Sequence, residues 1–246
     1  MVLKCLGSSS DGNCYLLTAS DGSTLIIECG VQFTQVKKAL HWSLGGVVGC
    51  LVSHRHKDHS KYIKDVLSCG ITTLALEDVF ESAQLRNRVC CKSIEPLHGY
   101  VIGGFKVFTL PMCHDVPCLA FIIEHREMGR LLFITDTMMC EYKLPKMQHI
   151  MIEANYSDAI LQANIDNGVV PASMKDRLLH SHLELKTTCG ILTANDLSDV
   201  NEVILLHLSG NNSSKFQFIE TVERCSGKTT YVAESGFETT LSINPY

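Results

Sequence analysis

The stretch His54-Arg55-His56-Lys57-Asp58-His59 places four side chains able to bind a divalent metal almost side by side. Imidazole nitrogen and carboxylate oxygen are the donors that borderline divalent cations prefer, and a short loop held by a rigid element can fix their directions. The plain alternative is a polar surface loop that happens to be rich in histidine. Three further residues argue against it. His114 follows Phe108-Thr109-Leu110-Pro111-Met112-Cys113, Asp136 follows Leu131-Leu132-Phe133-Ile134-Thr135, and His207 follows Val203-Ile204-Leu205-Leu206. Each stands where an apolar run ends, so folding can gather them at one edge of a sheet. Such a set points to a divalent-metal site.

The elements that must position these residues read as alternating strands and helices. Val2–Leu6, Cys14–Thr18 and Thr24–Glu28 have strand character, separated by turns rich in Gly, Ser, Asp and Asn. The helical period appears over Phe33–Leu40, and Val47–Ser53 is a continuous apolar run of the kind a buried strand shows. The histidine cluster begins where that strand ends. Ser60–Cys69 resumes a helical period, with Gly70 as a stop signal. Further strands are predicted at Phe105–Leu110, Leu119–Glu124, Leu131–Ile134, His149–Glu153, Val203–Leu206 and Thr230–Ala233. Helices are predicted at Asp158–Asp166, Pro171–His180, Leu185–Asn195 and Lys215–Cys225. With no repeat or long polar linker between them, the pattern predicts an α/β protein in which residues 1–246 form one domain, two sheets packed together with helices outside.

Composition narrows the setting. A hydrophobic content of 46% is enough for a substantial core. No segment approaches the roughly 20 apolar residues that span a bilayer, and no secretory leader is evident, so the expectation is a soluble, cytoplasmic protein with no membrane partner. The 12 cysteines include no Cys-x-x-Cys, and Cys5, Cys14, Cys29, Cys50 and Cys140 sit beside apolar residues. They read as reduced core thiols, as a cytosolic location would favour. A net charge of −5 with scattered Lys and Arg provides no global attraction for a polyanion, so any nucleic-acid contact must be local. His41, His98, His125 and His149 lack partners at ligand spacing and read as surface or core residues.

His-x-His-x-Asp-His, a later His, an Asp after an apolar strand and a final His occur in the order that marks the metallo-β-lactamase superfamily, which the chain resembles over nearly its whole length. The resemblance implies a four-layer αββα sandwich with two divalent metal ions at one edge, between the sheets. It implies that His54, His56 and His114 bind one ion, that Asp58, His59 and His207 bind the other, and that Asp136 bridges them. Zn²⁺ suits the histidine-rich set best, and Mn²⁺ is accepted by the same donors. Glu28-Cys29-Gly30 stands where many members have Asp before Cys-Gly or Ala-Gly. Glu28 is therefore expected either to support the site or simply to be a buried hydrogen-bonding residue.

Arg177-Leu178-Leu179-His180-Ser181-His182-Leu183-Glu184-Leu185 is similar to a stretch of the phosphodiesterase branch, which includes ribonuclease Z and small single-domain exonuclease-like proteins of bacteria and phages. In that branch an extra histidine lies near the leaving group. His182 takes its place here, with His180 the competing candidate and a capping or core histidine the plain reading. Asp58 and His182 are the expected catalytic groups. Two cations roughly 3.5–4 Å apart would ionise a shared water, and the bridging hydroxide would attack phosphorus while His182 protonates the leaving oxygen. Ser8, Ser9, Ser10, Asn13, Asn211 and Asn212 are expected to hold phosphate or base, although turn composition alone would also account for them.

The short span between Asp136 and His207 leaves no room for the large inserted domain of β-CASP nucleases. The expected substrate is thus a nucleotide or nucleic-acid phosphodiester, either a cyclic nucleotide or a single strand. Thioester or lactone hydrolysis on the same metal site, and a metal-stabilised binding protein without turnover, are the alternatives. Relatives are often homodimers, so a homodimer is compatible with the resemblance.

Overall fold

The protein is described by a computed structural model over residues 1–85 and 88–243. Two seven-stranded sheets dominate it. The first comprises β1 (Val2–Gly7), β2 (Cys14–Thr18), β3 (Thr24–Ile27), β4 (Val47–Leu51), β5 (Thr73–Ala75), β6 (Cys91–Ser93) and β14 (Glu238–Thr240), in the order β14-β1-β2-β3-β4-β5-β6. The second comprises β7 (Gly99–Ile102), β8 (Phe105–Met112), β9 (Cys118–His125), β10 (Gly129–Ile134), β11 (His149–Glu153), β12 (Glu202–Leu206) and β13 (Thr229–Val232), in the order β13-β12-β11-β10-β9-β8-β7. Each sheet is antiparallel on one side and parallel on the other: β3 to β6 in the first and β10 to β13 in the second run in parallel.

Side-chain alternation explains the layering. In β2 and β3, Tyr15, Leu17, Leu25 and Ile27 face the second sheet and meet Phe121, Leu131, Phe133 and Met151 in one core. Their neighbours Cys14, Leu16 and Ile26 face the other way, onto helices α1 (Phe33–Ala39), α3 (Ile63–Ser68) and α4 (Glu77–Ser82). The outer face of the second sheet packs on α7 (Leu185–Thr193) and α8 (Lys215–Ser226). Both faces of the central strands are thus buried, which is why β2, β3 and β11 are apolar without a visible period of two. The arrangement is the four-layer αββα sandwich expected from the sequence.

Differences from the predicted elements have local causes. The helix expected over Ser60–Cys69 is the shorter α3, and a separate helical turn, α2 (Lys57–Ser60), precedes it and contains Asp58 and His59. Strand β4 stops at Leu51, and helix α6 (Ser173–Ser181) begins after Pro171 and runs one residue past His180. The strands β5, β6, β7 and β14 and the helix α4 are too short to show a period, and they escaped prediction. The cysteines are all free, but the expectation of core thiols needs correcting: Cys140 is only half-buried, and Cys69 and Cys113 are exposed. His125 and His149 are buried, whereas His41 and His98 are exposed. Among the described residues no helix is long and apolar enough to cross a membrane.

The two sheets are joined at the turn edge by Glu127, between β9 and β10, whose carboxylate accepts from the Ser20 N–H at 3.0 Å and from the Ser20 hydroxyl at 2.6 Å. The Ser20 hydroxyl bond holds the Glu127 carboxyl down at about 2. A carboxyl lowered on folding stabilises the fold above its unfolded value of about 4.3, and that contribution disappears as pH falls through the folded value. Screened as the pair is, its worth is about 1 kcal/mol. Melting curves of wild type and Glu127→Ala should therefore differ most above pH ~5 and converge as the pH is lowered toward ~2. A difference that stays constant with pH would show that this carboxylate does not titrate as described.

Candidate metal centre

The parallel strands of both sheets end at the same edge of the sandwich, the place where open α/β sheets present their ligands. There β3 delivers Glu28, β4 leads into His54, β10 into Asp136 and β12 into His207, while β11 ends on Glu153. Strand β8 leads to His114 on the return to β9. The loop carrying Asp58 docks tightly on the first sheet: the Asn13 N–H donates to the Asp58 carbonyl at 2.7 Å and the Cys29 N–H to the His59 carbonyl at 2.8 Å. A Cβ on Gly30 would lie 1.7 Å from the Asp58 carbonyl oxygen, so only glycine allows this approach. Glu28 and His207 both have left-handed backbones, with φ of 66° and 53°. Such strain persists where the surroundings over-determine it, and it clusters at functional sites.

Three groups of potential ligand atoms result, each with its members within 4.8 Å of one another: His54, His56 and His114; Asp58, His59, Asp136 and His207; and Asp136, Glu153, His182 and His207. In the first, His114 Nε2 and His56 Nδ1 face each other at 3.2 Å, and the buried Nε2 of His54 has no hydrogen-bond partner. In the second, Asp58 Oδ2 lies 3.2 Å from His207 Nε2 and 3.3 Å from His59 Nε2, which is 3.2 Å from Asp136 Oδ1. A tetrahedral cation with bonds of about 2.0–2.1 Å needs ligand atoms roughly 3.3–3.4 Å apart. The spacing and the orphaned His54 nitrogen therefore fit divalent cations in both groups.

Several of the opposite ring nitrogens are also engaged, as expected of histidines whose orientation must be fixed. His54 Nδ1 meets the Ser53 hydroxyl at 2.9 Å, and His207 Nδ1 meets Glu153 Oε1 at 3.1 Å. His59 Nδ1 lies 3.6 Å from Glu28 Oε1, an ion-pair separation. Glu28 also accepts from the Ser53 N–H at 3.3 Å, so it supports the His54 and His59 segments together.

Electrostatics divides the centre into two halves. Burial, followed by the neighbouring His59, pushes the His54 imidazole well below the ordinary histidine range, and burial also lowers His114. His54 and His114 are thus ready as neutral donors. Burial opposes charge on His207 and His59 too, but Asp136 overrides it, raising His59 well above the ordinary range and His207 up to about 10. Burial likewise opposes ionisation of Asp136, yet His207 and His59 hold it well below the usual carboxylate range. Positive charge is thus wanted where Asp58 and Asp136 meet, and without another cation the histidines supply it.

His182 belongs to this centre and His180 does not. His182 leaves α6 with an extended backbone and donates from Nδ1 to Glu153 Oε1 at 2.6 Å, with Asp136 Oδ2 at 3.7 Å. His180 is exposed and bonds the Asp176 carbonyl of its own helix. Burial disfavours charge on His182, but Glu153 more than compensates and raises it. Glu153 is fully buried, bonds the Leu183 N–H at 2.9 Å, and orients His182 and His207 together. In the sequence Glu153 stands only as the end of a predicted strand. The signal was present: like Asp136 and His207, it is a polar group terminating an apolar run.

Several residues expected to face substrate have other places. Asn13 is buried, its amide 3.1 Å from His59 Nε2 and 3.3 Å from the Asp58 carbonyl. The Ser8 hydroxyl accepts from Tyr15 at 2.7 Å and from the His207 N–H at 2.9 Å. Both therefore support the centre from within. The Ser9 hydroxyl accepts from the Asp11 N–H inside its own turn, the buried Asn212 accepts from Asn164, and exposed Asn211 offers its carbonyl to Asn164. A cavity of about 130 Å³ opens over the centre, bounded by Ser10, Asp115, Arg177 and Ser181 above His56, Asp58, His114, Asp136, His182 and His207. Of the six hydroxyl and amide candidates, Ser10 alone is among its walls.

No family model matches the chain. A protein of Bacillus anthracis described as exodeoxyribonuclease YycJ is 25% identical over 238 residues, 85% of this chain and 83% of its own. Among solved structures, the metallo-β-lactamase fold protein YhfI of Bacillus subtilis superposes with a TM-score of 0.74 at 16% identity, covering 97% of this chain and 98% of its own. Zn²⁺-bound PqqB of Methylobacterium extorquens gives 0.73 at 14% identity, over 98% and 100%. The short form of human tRNase Z gives 0.64 at 15% identity, over 98% and 99%.

Proposed function

We propose, from the metallo-β-lactamase fold that this chain has and from its clustered donors, that it is a dinuclear metal-dependent hydrolase cleaving nucleotide phosphodiester bonds. His54, His56 and His114 would hold one ion and Asp58, His59 and His207 the other, with Asp136 shared. Zn²⁺ is the first expectation and Mn²⁺ the second. When bound, two such ions supply an ionised water at neutral pH and neutralise charge on both sides of an in-line displacement.

The observation that carries the phosphodiester reading is His182 on its buried carboxylate, Glu153. Cleavage of a phosphorus–oxygen bond expels a strongly basic alkoxide, which needs a proton. His182 has its Nδ1 occupied by Glu153, its charged form favoured, and a place in the wall of the cavity. Glu153 sets the tautomer that leaves Nε2 as the donor. Asp58 orients the reacting groups through His59 and His207. The nuclease names of the Bacillus anthracis relative and of human tRNase Z agree with this reading.

The test is turnover of bis-p-nitrophenyl phosphate, cyclic mononucleotides and single-stranded DNA and RNA by purified, metal-replete protein, beside a panel of thioesters and lactones. Phosphodiester cleavage is expected. Activity confined to thioesters or lactones would overturn the reading, and a metal-replete protein inert toward every substrate would leave a binding role. A salt series separates the substrates within the class, since polymer binding weakens steeply with salt while a small nucleotide is far less affected.

A further inference from the structure

We propose that Arg177 grips the phosphate of the substrate, and so makes this centre selective for anionic phosphodiesters over the neutral esters that the same donors would otherwise serve. The inference rests on the phosphodiesterase reading and names the residue that gives it its charge preference.

The cavity over the centre is lined by hydroxyls, imidazoles, carboxylates and one guanidinium, and among the described residues no aliphatic side chain and no Phe, Tyr or Trp is in its walls. Its volume of about 130 Å³ is well under the roughly 300–1,000 Å³ of small-molecule pockets. It therefore takes the reacting group and leaves sugar and base outside. Recognition inside has to work through charge and hydrogen bonds.

The walls pose a difficulty for an anion. Asp58, Asp115 and Asp136 all border the space, and two ions held by the centre would be partly neutralised by Asp58 and Asp136. Among the described residues Arg177 is the only lysine or arginine lining it. Among the described residues it makes no ion pair, so its guanidinium is not committed to a protein carboxylate. A forked, permanently charged group of this kind matches two phosphate oxygens at once, which a lysine ammonium does not.

Its mounting suits the role. Arg177 and Ser181 are one helical turn apart on α6, so both face the cavity, and the Ser181 hydroxyl donates to the Arg177 carbonyl at 2.7 Å. His182 follows directly. One helix end therefore presents the anion-binding group and the proton donor together, the first toward the non-bridging oxygens and the second toward the leaving oxygen.

The experiment measures inorganic phosphate binding by calorimetry on metal-replete wild type, Arg177→Ala and Arg177→Lys, together with KM and kcat on bis-p-nitrophenyl phosphate. A charge-assisted hydrogen bond is worth about 1.5–3 kcal/mol, so Arg177→Ala should weaken phosphate and raise KM by about 10- to 100-fold. Metal content and melting temperature should match wild type, because the residue is exposed and touches no proposed ligand pair. Arg177→Lys should recover only part of the loss. Phosphate affinity and KM unchanged in Arg177→Ala would overturn the proposal. Phosphate binding is read whether or not a phosphodiester is turned over, so loss of binding with no turnover in wild type would refute the phosphodiesterase reading and leave the arginine's role standing.

Discussion

Asp136→Ala is expected to lose phosphodiester turnover on the order of 10³-fold, with metal content falling below that of wild type. Asp136 is shared by two of the three donor groups: its Oδ1 lies 3.2 Å from His59 Nε2 and 3.7 Å from His207 Nδ1, and its Oδ2 3.7 Å from His182 Nδ1. It is also buried, so alanine removes a charge that three histidines were arranged around. A loss of folding alone would mimic the effect. Asp136→Asn keeps the volume and separates the two, since it should fold with wild-type circular dichroism and still show lowered metal content by elemental analysis. Full metal content together with full activity in either variant would rule out a shared ligand at this position.

The second large effect concerns the proton donor, and its diagnostic is the leaving group. On an alkyl phosphodiester, whose leaving alcohol is a poor one, His182→Ala should lower kcat by about 10²–10⁴-fold. On bis-p-nitrophenyl phosphate, whose phenolate leaves without help, the same variant should lose far less. Glu153→Gln should reproduce this contrast more weakly, because it removes the carboxylate that holds His182 Nδ1 at 2.6 Å while keeping the packing beneath the centre. A merely structural histidine would depress both substrates equally. An equal loss is therefore the outcome that would remove His182 from the chemistry.

Much of the centre was legible because its signals are local. A buried strand announces itself by apolar residues, and the first polar group after it is where a sheet edge opens. His207 follows that rule directly and His54 and Asp136 one residue later, and His56, Asp58 and His59 lie close enough in sequence to share the same edge. Two packed sheets with helices outside were likewise visible in the alternation of apolar strands with helical periods, and the family resemblance implied their four-layer αββα order. The elements missed were those of three to six residues, where neither period has room to repeat.

Direction, by contrast, is set by packing between distant segments. Ser8, Asn13, His180 and His182 are all polar residues beside turns or helix ends, and nothing in their neighbours says which way they point. Asn13 turns inward because Gly30 lets the Asp58 loop come down onto it. Ser8 turns inward because Tyr15 and the backbone of His207 both donate to it. His182 reaches the centre because α6 ends at Ser181 and the next residue is extended, whereas His180, still within the helix, is held to its own Asp176 carbonyl. Composition and period thus determined which residues could bind metal and the layers that carry them. The buried contacts of Glu153 and the mounting of Arg177 at the cavity wall were decided only by tertiary structure, because each depends on partners far away in the chain.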